Sequence, residues 1–235
     1  MYGTDLAYIH QHGFSQFARD TSPVVVALLR EAGIDQGLVV DLGCGSGILA
    51  GELLGHGYDV LGVDISEAMI TVAREQVPGA TFVVESLHEF RIPKCAAITA
   101  IGEPFTYAPS GEEEREATLR ATLARCAGAL GTGGLLLFDV MRHTEGEPMR
   151  YRHWSAEGDD WMIAVDVAEE PEARLITRTM WMYRAEGERY RRTTEVHRVW
   201  TFTLEELRTW LGEAGFSIRF GGWPCLLYTS DAADD

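Results

Sequence analysis

The chain has 235 residues, 46% of them hydrophobic, with 20 basic and 36 acidic residues and a formal net charge of −16. That length suffices for one sizeable core with room for an inserted lobe, and no stretch approaches the roughly 20 consecutive apolar residues that span a membrane. The acid excess repels phosphate backbones and anionic lipid, which argues against nucleic-acid and membrane partners. The basic cluster Arg184, Arg189, Arg191, Arg192 and Arg198 reads as the solvated face of a β-ribbon. MYGTDLAYIHQHGF lacks a basic stretch followed by an apolar run, so no signal peptide is expected and a cytoplasmic location is. Cys44, Cys95, Cys126 and Cys225 form no C-x-x-C pair and no zinc spacing, which suits free thiols in a reducing compartment.

The first 35 residues read as helical cover, with Leu6, Ile9, Phe14 and Phe17 as an apolar face and a helix opened by Pro23. Strands and helices alternate from Leu38. LVVDL is an apolar run suited to a strand buried on both faces. The helix ILAGELLGHG, the strand YDVLGVD, the helix SEAMITVAREQV with Ser66 as N-cap, and the strands ATFVVE and CAAITAIG follow. EEEREATLRATLARCAGAL is a long helix with acids in its first turn, and GGLLLFDV is a fifth strand. Alternation of this kind predicts a doubly wound α/β fold with a mostly parallel sheet.

The pattern changes after Asp139. WMIAVDVAEE, RLITRTMWMYRA and RYRRTTEVHRVWTF are joined by segments too short for a crossover helix, so an antiparallel β-meander of three strands is expected as an insert after the fifth strand. TLEELRTWLGEAGF is an amphipathic helix capped by Thr203, and SIRFGGW is a sixth strand. The implied division is 1–140 for the helical cover and cofactor-binding core, 141–202 for the insert, 203–223 for the last helix and strand, and 224–235 for a tail. That tail, ending LLYTSDAADD, is similar to translated adapter sequence. It is expected to be non-native and to leave the final antiparallel strand missing.

The turn Gly43-Cys44-Gly45-Ser46-Gly47 joins a buried strand to a helix N-terminus. Glycines there allow a sharp turn and close approach of a ligand, and the free N–H groups suit an anionic arm. Asp64 closes the next strand, where an acid can take both hydroxyls of a ribose. The spacing is G-x-G-x-G after D-L, not the G-x-G-x-x-G of dinucleotide enzymes. VVDLGCGSG with VDIS resembles the glycine motif and ribose acid of class I S-adenosylmethionine-dependent methyltransferases, over roughly residues 38–140.

That resemblance implies S-adenosylmethionine as cofactor and S-adenosylhomocysteine as product. It implies that Gly43, Cys44, Gly45 and Gly47 line the methionine arm, that Asp41 helps place its amino group, and that Asp64 binds the ribose. Ile65, Met69, Ser86, Leu87 and Ile101 would lie around the nucleoside, with Glu85 or Ser86 in the position where the family often has an acid beside the adenine. GTGG at 131–134 resembles the family's L-x-P-G-G turn, with Thr132 in place of proline.

The strand ending IGEPFTYAP places Glu103 and Tyr107 at the acceptor side. G-E-P-F departs from the [DN]-P-P-[YF] of amino-adenine and amide methylators, which argues against those substrates. Glu103, Tyr107 and His10 are the candidate catalytic residues, with His143 as a further candidate base; the seven histidines make no spacing that demands a metal. Trp154, Trp161, Trp181, Tyr183, Tyr190 and Trp200 in the insert either wall an acceptor or form the lobe's own core or a dimer contact. The expected activity is methyl transfer to a nitrogen or oxygen of a small-molecule acceptor by a bacterial-type monomer or homodimer. The rivals are a non-catalytic binder of the same cofactor and a nicotinamide-dependent oxidoreductase.

Overall fold

The computed structural model describes residues 2–107, 112–143, 150–220 and 226–230. The elements run α1 (Thr4–Gly13), α2 (Gln16–Glu31), β1 (Leu38–Leu42), α3 (Ile48–Gly55), β2 (Asp59–Asp64), α4 (Glu67–Gln76), β3 (Thr81–Val84) and β4 (Cys95–Ala100). After a 3-10 turn at Pro104–Thr106 come α5 (Glu112–Ala129), β5 (Leu130–Asp139), β6 (Arg150–Glu157), β7 (Trp161–Glu170), β8 (Leu175–Glu186), β9 (Arg189–Trp200), α6 (Leu204–Glu213), β10 (Ile218–Phe220) and β11 (Leu226–Ser230).

Seven strands form one sheet in the order β10-β11-β5-β4-β1-β2-β3, parallel except for β11. Helices cover both faces, because the central strands are apolar on both sides. Val40 and Leu42 of β1 pack with α5 and α6, while Val39 packs with α2, α3 and α4. The order reverses between β1 and β4, which opens a crevice beyond their C-terminal ends. Ser66 caps α4 by accepting a hydrogen bond from Met69 N, and Thr203 with Glu206 forms a capping box on α6.

Three sequence expectations are corrected. The final strand is present: Leu226–Ser230 pairs antiparallel with Leu135–Asp139 on one side and Ile218–Phe220 on the other. An inserted strand satisfies the row of N–H and C=O groups that β5 would otherwise leave open, so five residues suffice. The remainder of the tail lies outside the described residues. The meander has four strands, since Arg150–Glu157 adds to β7 at one edge; an exposed edge strand carries no apolar alternation to announce it. Finally, α2 begins at Gln16 rather than Pro23, which lies inside the helix; Ser22 Oγ donates to Ala18 O (2.6 Å) one residue before the proline interrupts the N–H series.

The second sheet, in the order β6-β7-β8-β9, buries one face against α1 through Ile163, Val165, Met180, Met182 and Val199 with Leu6 and Ile9. Asp5 ties α1 to β9 by accepting from Arg191 and Thr193. Trp161 belongs to this core and Trp200 to that of the larger sheet. The described cysteines Cys44, Cys95 and Cys126 are free thiols.

Candidate active site

A cavity of about 600 Å³ lies where α1, α2 and the smaller sheet close over the C-terminal ends of β1, β2 and β4. Its floor is the glycine turn. Gly43, Gly45 and Gly47 all have positive φ. At Gly43 a Cβ would lie 2.5 Å from the Pro104 Cβ, so this glycine lets the turn after β1 press against the turn after β4. Gly43 N and Cys44 N both donate to Val63 O, whereas Gly45 N donates to Asp64 Oδ2 (2.9 Å). Asp64 Oδ1 accepts from Ser66 N (2.8 Å). Both carboxylate oxygens thus hold backbone, and each keeps a lone pair for a hydroxyl. Burial raises the Asp64 pKa, partly offset by these N–H donors.

Asp41 lies 3% exposed at the end of β1 and accepts from Thr99 Oγ1 (2.7 Å). Burial raises its pKa to about 7, with the nearby Asp64 charge adding to the rise. Ile65, Met69, Ser86, Leu87 and Ile101 line the same cavity. Among the described residues, two buried polar atoms of the lining have no hydrogen-bond partner: Thr21 Oγ1 on α2 and His10 Nδ1 on α1.

Glu103 forms the opposite wall. Its backbone is left-handed (φ 67°, ψ 24°), a costly conformation for a side-chain-bearing residue. Several contacts hold it there. Asp139 Oδ1 accepts from both Gly102 N and Glu103 N (2.8 Å each), and Thr106 Oγ1 donates to Glu103 O (2.6 Å). Arg178 Nη2 on β8 reaches Glu103 Oε2 at 2.9 Å. Tyr107 lines the wall next to Tyr2, whose carbonyl accepts from Ser66 Oγ (2.6 Å), so the N-terminal segment bridges the acid turn to the acceptor side. His88 uses both ring nitrogens, on Thr122 Oγ1 and Tyr107 O. Burial lowers the His10 pKa, leaving its ring neutral at pH 7.

Residues 39–134 match the family described as methyltransferase domain. The chain is 28% identical over 200 residues to a protein of Geobacillus sp. (strain WCH70) whose name marks it as a candidate methyltransferase, covering 77% of this chain and 74% of that one. Its fold is shared with DesVI of Streptomyces venezuelae (TM-score 0.81, 20% identity, 98% and 100% of the two chains). It is shared also with CalS10, an amino pentose methyltransferase from Micromonospora echinaspora solved with S-adenosylmethionine bound (TM-score 0.78, 19% identity, 98% of each chain). Residues 39–134 thus carry a methyltransferase domain, and the fold is shared with S-adenosylmethionine-dependent methyltransferases.

The fold brings most of the sequence-predicted site residues to one cavity. Asp41, Gly43, Cys44, Gly45, Asp64, Ile65, Met69, Ser86, Leu87 and Ile101 line it, as do His10, Glu103 and Tyr107. Gly47 does not. It precedes α3 in a left-handed conformation where a Cβ would meet Ala73 and Phe82. Glu85 is not among the lining residues, and Ser86 is. His143 lines a separate, smaller cavity with Thr201. None of the six insert aromatics lines the main cavity. Arg178, Asp139, Thr21 and His88 were not singled out in the sequence. Strand alternation would have placed Arg178 on the inward face of β8 once Met180 and Met182 were known to be buried.

Proposed function

We propose that this methyltransferase transfers the methyl group of S-adenosylmethionine to a nitrogen or oxygen of a small-molecule acceptor. The observation that carries the reading is a single cavity shared by the Gly43–Asp64 cradle and the His10, Glu103, Tyr107 and Arg178 wall. The donor set fits the cofactor: lone pairs on Asp64 for ribose hydroxyls, the Asp41 carboxyl for an ammonium group, and the orphaned Thr21 hydroxyl beside the glycine turn. When bound, the cofactor supplies an electrophilic methyl on a sulfonium.

The chain's own residues then bind, orient and exclude water. Asp64 holds the nucleoside end and the glycine turn lines the methionine arm. Tyr2, Tyr107 and α1 cover the reaction space, which raises the effective concentration of the acceptor and aligns it. Glu103 accepts a hydrogen bond from an amine or hydroxyl, and Arg178 donates to a neighbouring oxygen of the same molecule. His10, neutral with Nδ1 unpartnered, takes the proton released from the acceptor. The charge of −16 favours a small acceptor over a nucleic acid, and the free thiols favour a cytoplasmic location.

Calorimetric titration with S-adenosylhomocysteine, followed by methyl transfer to a panel of small amines and alcohols, tests this reading. Binding that Asp64→Ala abolishes, with turnover on the panel, is expected. Binding without turnover on any acceptor would leave a non-catalytic cofactor-binding protein. A folded sample that binds nothing would overturn the proposal.

A further inference from the structure

We infer that the outer face of the β6–β9 sheet packs against the same face of a second copy of this chain. The inner face is buried on α1. The outer face carries Met162, Val196 and Tyr151 exposed by 38%, 55% and 74%, with Trp181 and Tyr183 half-buried at its centre. Apolar and aromatic side chains clustered on an open sheet face mark an interaction surface. Sheets of this kind stack face to face about 10 Å apart.

The occupant follows from the pattern. Register places the outward side chains in rows across the four strands. One row reads Glu157, Met162, Tyr183, Arg192; the next reads Ser155, Ala164, Trp181, Thr194; a further row begins at Tyr151 and ends at Arg198. The outward acids Glu157, Asp166 and Glu170 lie on the β6–β7 flank, Asp166 already paired with His153 (2.6 Å), and Arg192 and Arg198 lie on the β9 flank, so opposite charges occupy opposite flanks of this face. A two-fold axis along the strands lays β6 of one copy over β9 of the other, and β7 over β8. Row by row, Glu157 then meets the partner's Arg192, Met162 meets the partner's Tyr183, Ala164 meets the partner's Trp181, and Tyr151 meets the partner's Arg198. Acid lies over base, small over large, and cation over ring, and each contact occurs twice. A two-fold axis across the strands would instead stack Arg192 on the partner's Arg198, so the face selects the first arrangement.

Sedimentation equilibrium on the full chain tests the proposal. The expected mass is twice 26.0 kDa at about 10 µM. Glu157→Arg or Arg192→Glu alone should weaken the dimer by about tenfold or more, and the double exchange should restore it. Ala164→Arg, which drives a charge into the partner's Trp181, should give a monomer. Circular dichroism melts confirm that each variant is folded, and the charge exchange carries the test if Ala164→Arg does not fold. A monomer at about 100 µM, or a dimer that none of these changes weakens, overturns the proposal.

Discussion

Arg178 Nη2 lies 2.9 Å from Glu103 Oε2, joining β8 of the smaller sheet to the turn after β4 across 75 residues of sequence. The pair lies in the cavity wall with both side chains largely shielded, so neither charge is easily left alone. Arg178→Met should leave S-adenosylhomocysteine affinity within about twofold. Acceptor KM should rise about tenfold to hundredfold, because the unpaired Glu103 carboxylate loses its orientation. Initial rates on an acceptor found by the screen, set beside calorimetry, separate the two effects. Equal losses in both would mean the pair supports the whole cavity rather than its acceptor end.

Asp64 accepts from both Gly45 N and Ser66 N. Asp64→Ala removes the proposed ribose ligand and leaves two backbone donors without their acceptor. We expect S-adenosylhomocysteine affinity to fall by about 2–4 kcal/mol, or roughly thirtyfold to a thousandfold, by titration calorimetry. Asp64→Asn keeps the volume but exchanges one acceptor oxygen for an N–H donor, so it should lose affinity while melting nearer the parent.

The Asp41 carboxyl has its pKa raised to about 7 by burial. Its folded pKa lies above its unfolded one, so it favours the folded state fully below the unfolded value near 4. That contribution is lost as pH rises through about 7. Asp41→Asn should therefore raise the melting temperature at about pH 8.5, where the parent holds a buried charge, and change it little at about pH 5. Calorimetry in buffers of different ionisation enthalpy should also show proton release on cofactor binding near neutral pH, since an ammonium placed beside Asp41 favours its charged form.

His10 is kept neutral by burial, with Nδ1 free of partners. The pH profile of kcat/KM should be flat around neutrality and fall on the acid side, with its midpoint below the ordinary histidine value of about 6.5. His10→Ala should remove that acid limb and lower the plateau by about a hundredfold. An unchanged limb in the variant would assign it to another group.

Gly43 has φ 77° and would place a Cβ 2.5 Å from that of Pro104. Gly43→Ala should cost about 2–4 kcal/mol in urea unfolding, combining the left-handed penalty with a backbone shift. Cofactor affinity and acceptor turnover should fall together, because the same contact holds the turns after β1 and β4 against each other.

The proposed cofactor cradle could be read from the sequence because its demands are local. A buried strand, three glycines, a helix start and an acid closing the next strand lie within Leu38–Asp64, and each imposes its own backbone requirement on its own residue. The doubly wound order followed from alternating apolar runs for the same reason, and the caps at Ser66 and Thr203 depend on residues only three positions apart. The acceptor half depends on registry between distant segments. Arg178 reaches Glu103 only because β8 pairs with β7 in one register and buries one face on α1. Asp139 clamps Glu103 only because β4 and β5 lie side by side. The strand Leu226–Ser230 and the edge strand Arg150–Glu157 exist because neighbouring strands offered unpaired backbone, which no single segment announces. Backbone chemistry within a few residues determined the cradle. Side-chain direction across a sheet, which a shift of one residue reverses, decided the wall that faces it.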